Sequence, residues 1–287
     1  MTSNRPLIGV VVLNFNGKDC LLRCLASLRA LEYENFFVVV VDNASKDDSL
    51  DRAKEKFSEY TYVSNHENRG FASGMNIGMR LAFEKGAAWV WLFNNDAVAD
   101  RYSLGYLIAI ALTHERAGLL SPLISDAAGK IWFGKGQIDS FRMRTVHKSP
   151  KKQELESDSY PSEFLTGCAL LVRRDVFRVI GDLDEHFFLY YEDADFSLRA
   201  REQGFEALVV PKARVMHTEQ SQKNQKKIYH LVFSGLLFFR KHARFWQKPY
   251  FLLYGTIRRI KNLVDIRRGR GDALIVRRAY HDFYHGC

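Results

Sequence analysis

Residues 91–100 read WLFNNDAVAD. The apolar run from Trp89 to Phe93 stops abruptly at Asn94-Asn95-Asp96. A short continuous apolar run reads as a strand buried on both faces, which implies a parallel sheet covered by helices. Two amides and a carboxylate are more than a turn requires. They stand where an open parallel sheet binds its ligands, outside the carboxyl ends of its strands. A second acidic cluster, YYEDAD, follows far downstream at residues 190–195.

The flanking sequence supports that reading. Apolar runs at 7–15, 36–42, 60–64 and 88–93 alternate with helical spacing at 18–31, 47–57, 70–86 and 100–116. Such alternation predicts an α/β fold with a mostly parallel central sheet covered by helices. Residues 122–162 are polar and predict short strands or a mobile loop. A strand running into a helix is expected over 164–177, a helix over 192–204 and a final strand over 205–210. From Gln225 the pattern changes to long helices in which aromatic and aliphatic residues interleave with Arg and Lys, as on an amphipathic helix at an acidic interface.

Charge divides the chain in the same place. Of 42 Lys+Arg and 33 Asp+Glu, 17 basic and 4 acidic residues lie from Lys212 onward, which leaves the first 211 residues at a net −4. A basic tail calls for an anionic partner. It carries no helix-turn-helix, RNA-recognition or zinc signature, so nucleic acid is not expected. No apolar stretch reaches the ~20 residues of a membrane span, and the amino-terminal residues lack a signal-peptide pattern. Cys20, Cys24, Cys168 and Cys287 form no C-x-x-C pair. A reduced, cytoplasmic protein is expected, with Cys20 and Cys24 serving core packing on a helix.

Four neighbouring strand ends carry Asn or Asp: Asn14, then Asp42, then Asn68-Arg69 beyond the third strand, then Asn94-Asn95-Asp96. Any one of these could be a turn former or helix cap; four on one rim favour a site. Neither G-x-G-x-x-G nor G-x-x-x-x-G-K-[ST] is present, which excludes a dinucleotide fingerprint and an ordinary P-loop. Asp96 can hold a hard divalent cation, Asp42 can accept from a base or ribose, and Arg69 can pair with phosphate. The set suggests a nucleoside diphosphate bound through a metal.

The ordered segments VVVLNFNG, VVVVDNASKDDS, NRGFASGMNIGM, LFNNDAV, FLTGCALLVRRDVF and GDLDEHFFLYYEDADFSLRAREQGF resemble those of the family-2 glycosyltransferases with the A-type fold, most closely a bacterial rhamnosyltransferase-like branch. They span residues 8–217. The resemblance implies inverting sugar transfer from a nucleotide sugar, with Mg²⁺ or Mn²⁺, onto a glycan or polyprenyl-diphosphate-linked acceptor in surface polysaccharide synthesis. It implies Asp193 as general base beside Glu192, and Asp96 as metal ligand, completed by His217. The first acid of the family's D-x-D pattern is replaced by Asn94. The nucleotide-binding set becomes Asn14, Asp42, Asn68, Arg69, Asn76, Asn94 and Asn95; Trp132, Tyr190 and Tyr191 are acceptor candidates. Asp195 is a candidate for pairing with Arg199 at i,i+4. Expected divisions are a catalytic domain, 1–220, with a nucleotide-binding half, 1–120, and an acceptor half, 121–220, followed by a basic helical region, 221–287. That region would rest on an anionic inner membrane face; the plainer alternative is a helical subdomain that packs on the body or makes a dimer. The donor is expected to be dTDP-rhamnose, with a UDP-hexose or UDP-N-acetylhexosamine as the alternative and a non-catalytic anionic-surface binder as the remote one.

Overall fold

The computed structural model describes residues 5–218 and 225–286. Its amino-terminal half alternates as expected: β1 (Ile8–Asn14), α1 (Lys18–Arg29), β2 (Phe36–Asp42), α2 (Ser49–Lys56), β3 (Thr61–Ser64), α3 (Gly70–Glu84) and β4 (Trp89–Asn94). These strands pair in parallel in the order β3-β2-β1-β4. Register aligns their carboxyl ends: Asn14 lies opposite Asp42, Asp42 opposite Ser64, and Leu13 opposite Asn94. The apolar runs are buried on both faces, with Trp91 packed edge-on to Phe93 at 4.7 Å. Helix α3 lies close against this sheet. A methyl group at Gly78 would come within 3.0 Å of the Val41 side chain, so only glycine allows the approach.

Three elements follow the Asn94-Asn95-Asp96 corner: β5 (Ala97–Ala99), α4 (Ser103–Thr113) and β6 (Ala117–Ser125). Of the two readings of the polar segment, short strands or a mobile loop, the structure has short elements: β7 (Ile131–Phe133), β8 (Lys135–Asp139), β9 (Arg144–Lys148), α5 (Lys152–Glu156) and β10 (Tyr160–Pro161). Strands β8 and β9 form an antiparallel hairpin. A polar hairpin holds here because side chains supply partners for its backbone. The Ser162 hydroxyl accepts from Gly136 N at 2.8 Å, and the Glu163 carboxylate accepts from Ile138 N at 2.5 Å.

The chain then returns through β11 (Ala169–Arg173), α6 (Arg174–Ile180), α7 (Glu192–Glu202) and β12 (Glu206–His217). β11 inserts antiparallel between β4 and β6, so both halves share one ten-stranded mixed sheet. The last strand runs past the predicted end at residue 210, crossing an irregularity between Val210 and Arg214 and continuing with every second residue buried, Ala213, Val215 and His217. Its end pairs with β5, His217 opposite Ala97, which brings the late histidine to the corner after β4.

Helices α8 (Gln225–His242), α9 (Lys248–Arg267) and α10 (Ala273–His285) complete the chain. The expected boundary at 220/221 and Cys287 lie outside the described residues. Helix α8 packs on the body: Phe238 meets the Tyr191 ring at 5.4 Å, and Ser234 Oγ donates to Leu189 O at 2.8 Å. Asp195, fully buried, pairs with Arg199 at 2.8 Å as the i,i+4 spacing implies, and also with Lys241 at 2.7 Å and His242 at 2.8 Å. No described helix is long and apolar enough to cross a membrane.

Candidate active site

Two adjoining clefts meet at the corner after β4. One, of about 850 Å³, runs along the carboxyl ends of β1, β2 and β4 and is lined by Asn43, Asn68, Asn95 and Phe188. Its opposite wall comes from the C-terminal helices: Lys226, Lys227 and His230 of α8, and Arg278 of α10. The other, of about 450 Å³, is lined by Trp132, Thr166, Tyr190, Glu192, Asp193 and His217. Asn94, Asp96 and Lys227 line both.

The rim amides divide into ligand-facing and structural groups. Asn14 is fully buried. Its amide nitrogen lies within 2.8 Å of Asp42 Oδ1, 2.9 Å of Ser49 Oγ and 3.1 Å of Ser45 Oγ, and its oxygen accepts from Asn95 Nδ2 at 2.9 Å. An amide has two N–H donors and one carbonyl oxygen, so Asn14 has no donor to spare. It is the peg joining β1, β2, α2 and the corner after β4, not a nucleotide contact. Asn76 is corrected on the same ground. It is fully buried on α3, donating to Leu183 O at 2.9 Å and Glu185 Oε1 at 3.0 Å and accepting from Leu183 N at 3.0 Å. It clips the loop before α7 onto α3.

Asp42 is also largely enclosed, accepting from Asn14, from Ser45 Oγ at 2.6 Å and from Ser45 N at 2.9 Å. Asn43, absent from the expected set, is the buried residue that shapes the cleft: it donates to Asn68 Oδ1 at 3.0 Å and to Gly70 O at 2.9 Å. Asn68 in turn accepts from Gly70 N at 2.9 Å. Gly70 has φ +83, and a methyl there would lie 2.9 Å from the Phe188 ring, so this turn needs glycine twice over. Arg69 is exposed at the start of α3 and does not line either cleft.

Asp96 and His217 are brought together, Oδ1 to Nε2, at 3.0 Å. His217 is buried, its ring lies 4.6 Å from that of Trp132, and its Nδ1 has no partner. Among the described residues no set of three His, Cys, Asp or Glu side chains could hold a metal ion unaided. The β5–β12 pairing that joins Asp96 to His217 leaves no local signal, since 121 positions separate them.

The acidic pair opens α7 after two consecutive left-handed residues, Tyr190 at φ 69 and Tyr191 at φ 70. Such backbone is costly for side-chain-bearing residues and persists where surroundings hold it. Here Tyr191 is buried against Phe238 and hydrogen-bonds to Thr145, so it is chiefly a packing residue. Tyr190 stays partly exposed on the cleft wall. Asp193 accepts from Gly167 N at 2.9 Å and Ala194 N at 2.7 Å, and from the Thr166 hydroxyl. Glu192 is buried and its Oε2 has no partner. Burial, then the neighbouring Asp193, pushes the Glu192 carboxyl well above its ordinary range. Burial also raises Asp193, against the pull of its backbone donors. Two adjacent carboxylates in a low-dielectric wall do not both ionise easily. Asp193, held by three donors, is the better stabilised of the two as an anion, and Glu192, with an unpartnered oxygen, is the one that burial pushes further toward its neutral form.

The sequence model of Glycosyl transferase family 2 matches residues 9–181. Over 268 residues the chain is 27% identical to the N-acetylglucosaminyl-diphospho-decaprenol L-rhamnosyltransferase of Mycobacterium tuberculosis, covering 85% of this chain and 87% of that one. It is 23% identical to the dTDP-rhamnosyl transferase RfbF of Shigella flexneri over 221 residues, 76% of this chain and 70% of that one. Among solved structures, GalNAc-T7 with UDP, GalNAc and Mn²⁺ superposes with a TM-score of 0.65 at 19% identity, covering 80% of this chain and 48% of that chain, and shares the A-type fold. A family match over more than half the residues decides the assignment: the chain belongs to glycosyl transferase family 2 and is a glycosyltransferase.

Proposed function

We propose that this enzyme is an inverting transferase that moves rhamnose from dTDP-rhamnose to a sugar on a polyprenyl diphosphate. The observation that carries the reading is the shared corner: Asp96, His217 and Asp193 line one cleft, and that cleft opens into the Asn-rich cleft along the strand ends. The activities of the two relatives, a rhamnosyl transfer to an N-acetylglucosaminyl-diphospho-decaprenol and a dTDP-rhamnosyl transfer, support this donor and acceptor.

The donor's nucleoside would lie along Asn43 and Asn68, with its diphosphate between Asp96 and the cationic wall of Lys226, Lys227 and Arg278. Asp96 and His217 would hold the divalent cation that neutralises charge on the departing diphosphate. The residues fit one: an oxygen and a nitrogen donor stand 3.0 Å apart, and the remaining ligands would come from phosphate and water. A mixed oxygen–nitrogen pair suits Mn²⁺ better than Mg²⁺, which strongly prefers oxygen. The loss of one acid at Asn94 is offset by the cations of α8 and α10.

Asp193 would take the proton of the attacking acceptor hydroxyl as the new bond forms at the anomeric carbon and the bond to phosphate breaks. Its carboxylate is pre-positioned by Gly167, Thr166 and Ala194, which costs no reorganisation during the reaction. Protonated Glu192 would keep a second negative charge away from that oxygen. The basic C-terminal helices would seat the enzyme on an anionic leaflet beside its lipid-linked acceptor.

A thermal-shift panel of dTDP, UDP and GDP with and without Mn²⁺ tests the donor site. A ligand at a hundred times its dissociation constant adds ~2.7 kcal/mol. The expected result is a metal-dependent rise with dTDP that disappears in Asp96→Ala. A rise with UDP alone would reassign the donor to a UDP-sugar, and no rise with any nucleoside diphosphate would overturn the reading.

A further inference from the structure

A third cavity, of about 640 Å³, lies between the β8–β9 hairpin and helices α8 and α9, away from the two clefts that meet at Asp96. Its walls are apolar and largely aromatic: Phe238, Phe239 and Phe251, all buried, with Met143, Phe141 and Trp246. Three of the polar side chains on its wall are spent on protein. Glu163 accepts from Ile138 N, His242 pairs with Asp195, and Gln247 Oε1 accepts from Arg244 N at 2.9 Å. Arg244 stands at the rim with its guanidinium over Trp246.

Two continuities say what belongs there. Tyr250 on the lip begins a stripe, Leu253, Ile257, Ile260 and Val264, spaced three and four residues apart along one face of α9 and each between 39% and 59% exposed. Lys261, Arg267 and Arg268 flank it, while Arg258 and Arg259 turn toward α10, Arg259 lying 5.0 Å over the Tyr284 ring. An apolar helix face with basic margins is complementary to an anionic lipid surface. At the other end, Phe238 packs on Tyr191, the residue before Glu192, and Leu198 reaches the cavity from the same helix as Asp193.

We propose that this cavity takes the isoprenoid chain of the lipid-linked acceptor, drawn from the leaflet along the α9 stripe, with Arg244 meeting its phosphate. The inference rests on the lipid-linked acceptor of the proposed function. It gives the C-terminal helices a role in acceptor recognition as well as membrane seating.

Trp246 is a reporter in the wall, so the test is its fluorescence in the full chain titrated with farnesyl phosphate. A saturable change is expected, absent in Trp246→Phe and weakened about tenfold or more in Ala243→Phe, which fills the cavity. Ser140→Phe fills it from the hairpin side and serves if Ala243→Phe does not fold. The nucleotide-induced thermal shift should persist in these variants. A change undiminished by both fillings, or no change in a chain that still shows the nucleotide shift, would overturn this inference alone. An equal response to dodecyl phosphate would overturn the isoprenoid assignment in favour of an acyl chain. Loss of the nucleotide shift from the unaltered chain would instead strike the donor site.

Discussion

Glu192 and Asp193 are adjacent in sequence, yet one carboxylate has an orphaned oxygen and the other has three donors. Opposite roles follow. Glu192→Gln should keep transfer within about threefold, since it mimics a protonated side chain, whereas Asp193→Asn should remove a contribution of about 10²–10⁴ in rate. Stability offers a second check. The folded carboxyl of Glu192 titrates above its unfolded value, so its favourable contribution is present at low pH and is lost as pH rises toward the raised value. Glu192→Gln should therefore gain melting temperature relative to the parent as pH increases above the ordinary glutamate range; a gap that stays constant with pH would contradict the protonated assignment. Activity should in turn fall on acidification through a value above the ordinary aspartate range, read from a pH–rate profile, because burial raises Asp193. Identity at this scale was partly legible. Asp96, Asp193 and His217 stand out in the sequence by type and order, and the fold brings them to one cleft, whereas nothing local marks Asn14 and Asn76 as buried and spent on protein. An amide spent on protein and an amide offered to substrate look the same until their partners are known.

At the scale of elements, short-range signals were readable and long-range ones were not. Continuous apolar runs announced β1, β2 and β4 within a residue or two at each end. The hairpin β8–β9 did not announce itself, because Ser162 and Glu163, remote in sequence, satisfy its backbone. The extension of β12 was hidden by Pro211, which reads as a strand end, although the alternation that follows it is regular. Two junctions carry testable loads. Asp195, fully buried, holds Arg199, Lys241 and His242 together across α7 and α8. Asp195→Ala would remove the one acceptor that Arg199, Lys241 and His242 share, leaving Lys241 with Asp184 and Arg199 with the carbonyls of Ile180 and Asp182, and should cost about 2 kcal/mol in chemical denaturation. Burial would raise the Asp195 carboxyl, but its hydrogen bonds to His242 and Lys241 and the charge of Arg199 hold it below its ordinary value. That stability is present at neutral pH and is lost as pH falls through the depressed value. Gly70→Ala should cost about 2 kcal/mol from its left-handed backbone alone, and more from the Phe188 contact. A melting temperature unchanged in Gly70→Ala would mean that the Phe188 loop yields easily.

Seen as a whole molecule, the basic tail is not an appendage. Its helices wall the cleft along the strand ends with Lys226, Lys227 and Arg278, and Phe238 packs on Tyr191, the residue before the acidic pair. The charge split between body and tail is evident in composition, but the placing of its cations on the cleft wall depends on tertiary folding that no local pattern carries. Two anionic partners are thus proposed for one set of helices, the donor diphosphate on the inner wall and the leaflet on the outer. They separate by mutation. Leu253→Asp with Ile257→Asp should abolish flotation with anionic vesicles while the nucleotide thermal shift remains; retained flotation would remove α9 as the membrane face.

The central claim is in-line displacement at the corner where Asp96 and Asp193 face one cleft. The most direct measurement is transfer from dTDP-rhamnose to a polyprenyl-diphosphate-linked sugar, with the product's anomeric configuration read by NMR, in the parent and in Asp193→Asn. The account predicts an inverted product from the parent, and from Asp193→Asn a rate lower by about 10²-fold or more with nucleotide binding preserved. A product of retained configuration, or an Asp193→Asn enzyme within about threefold of the parent, would contradict it.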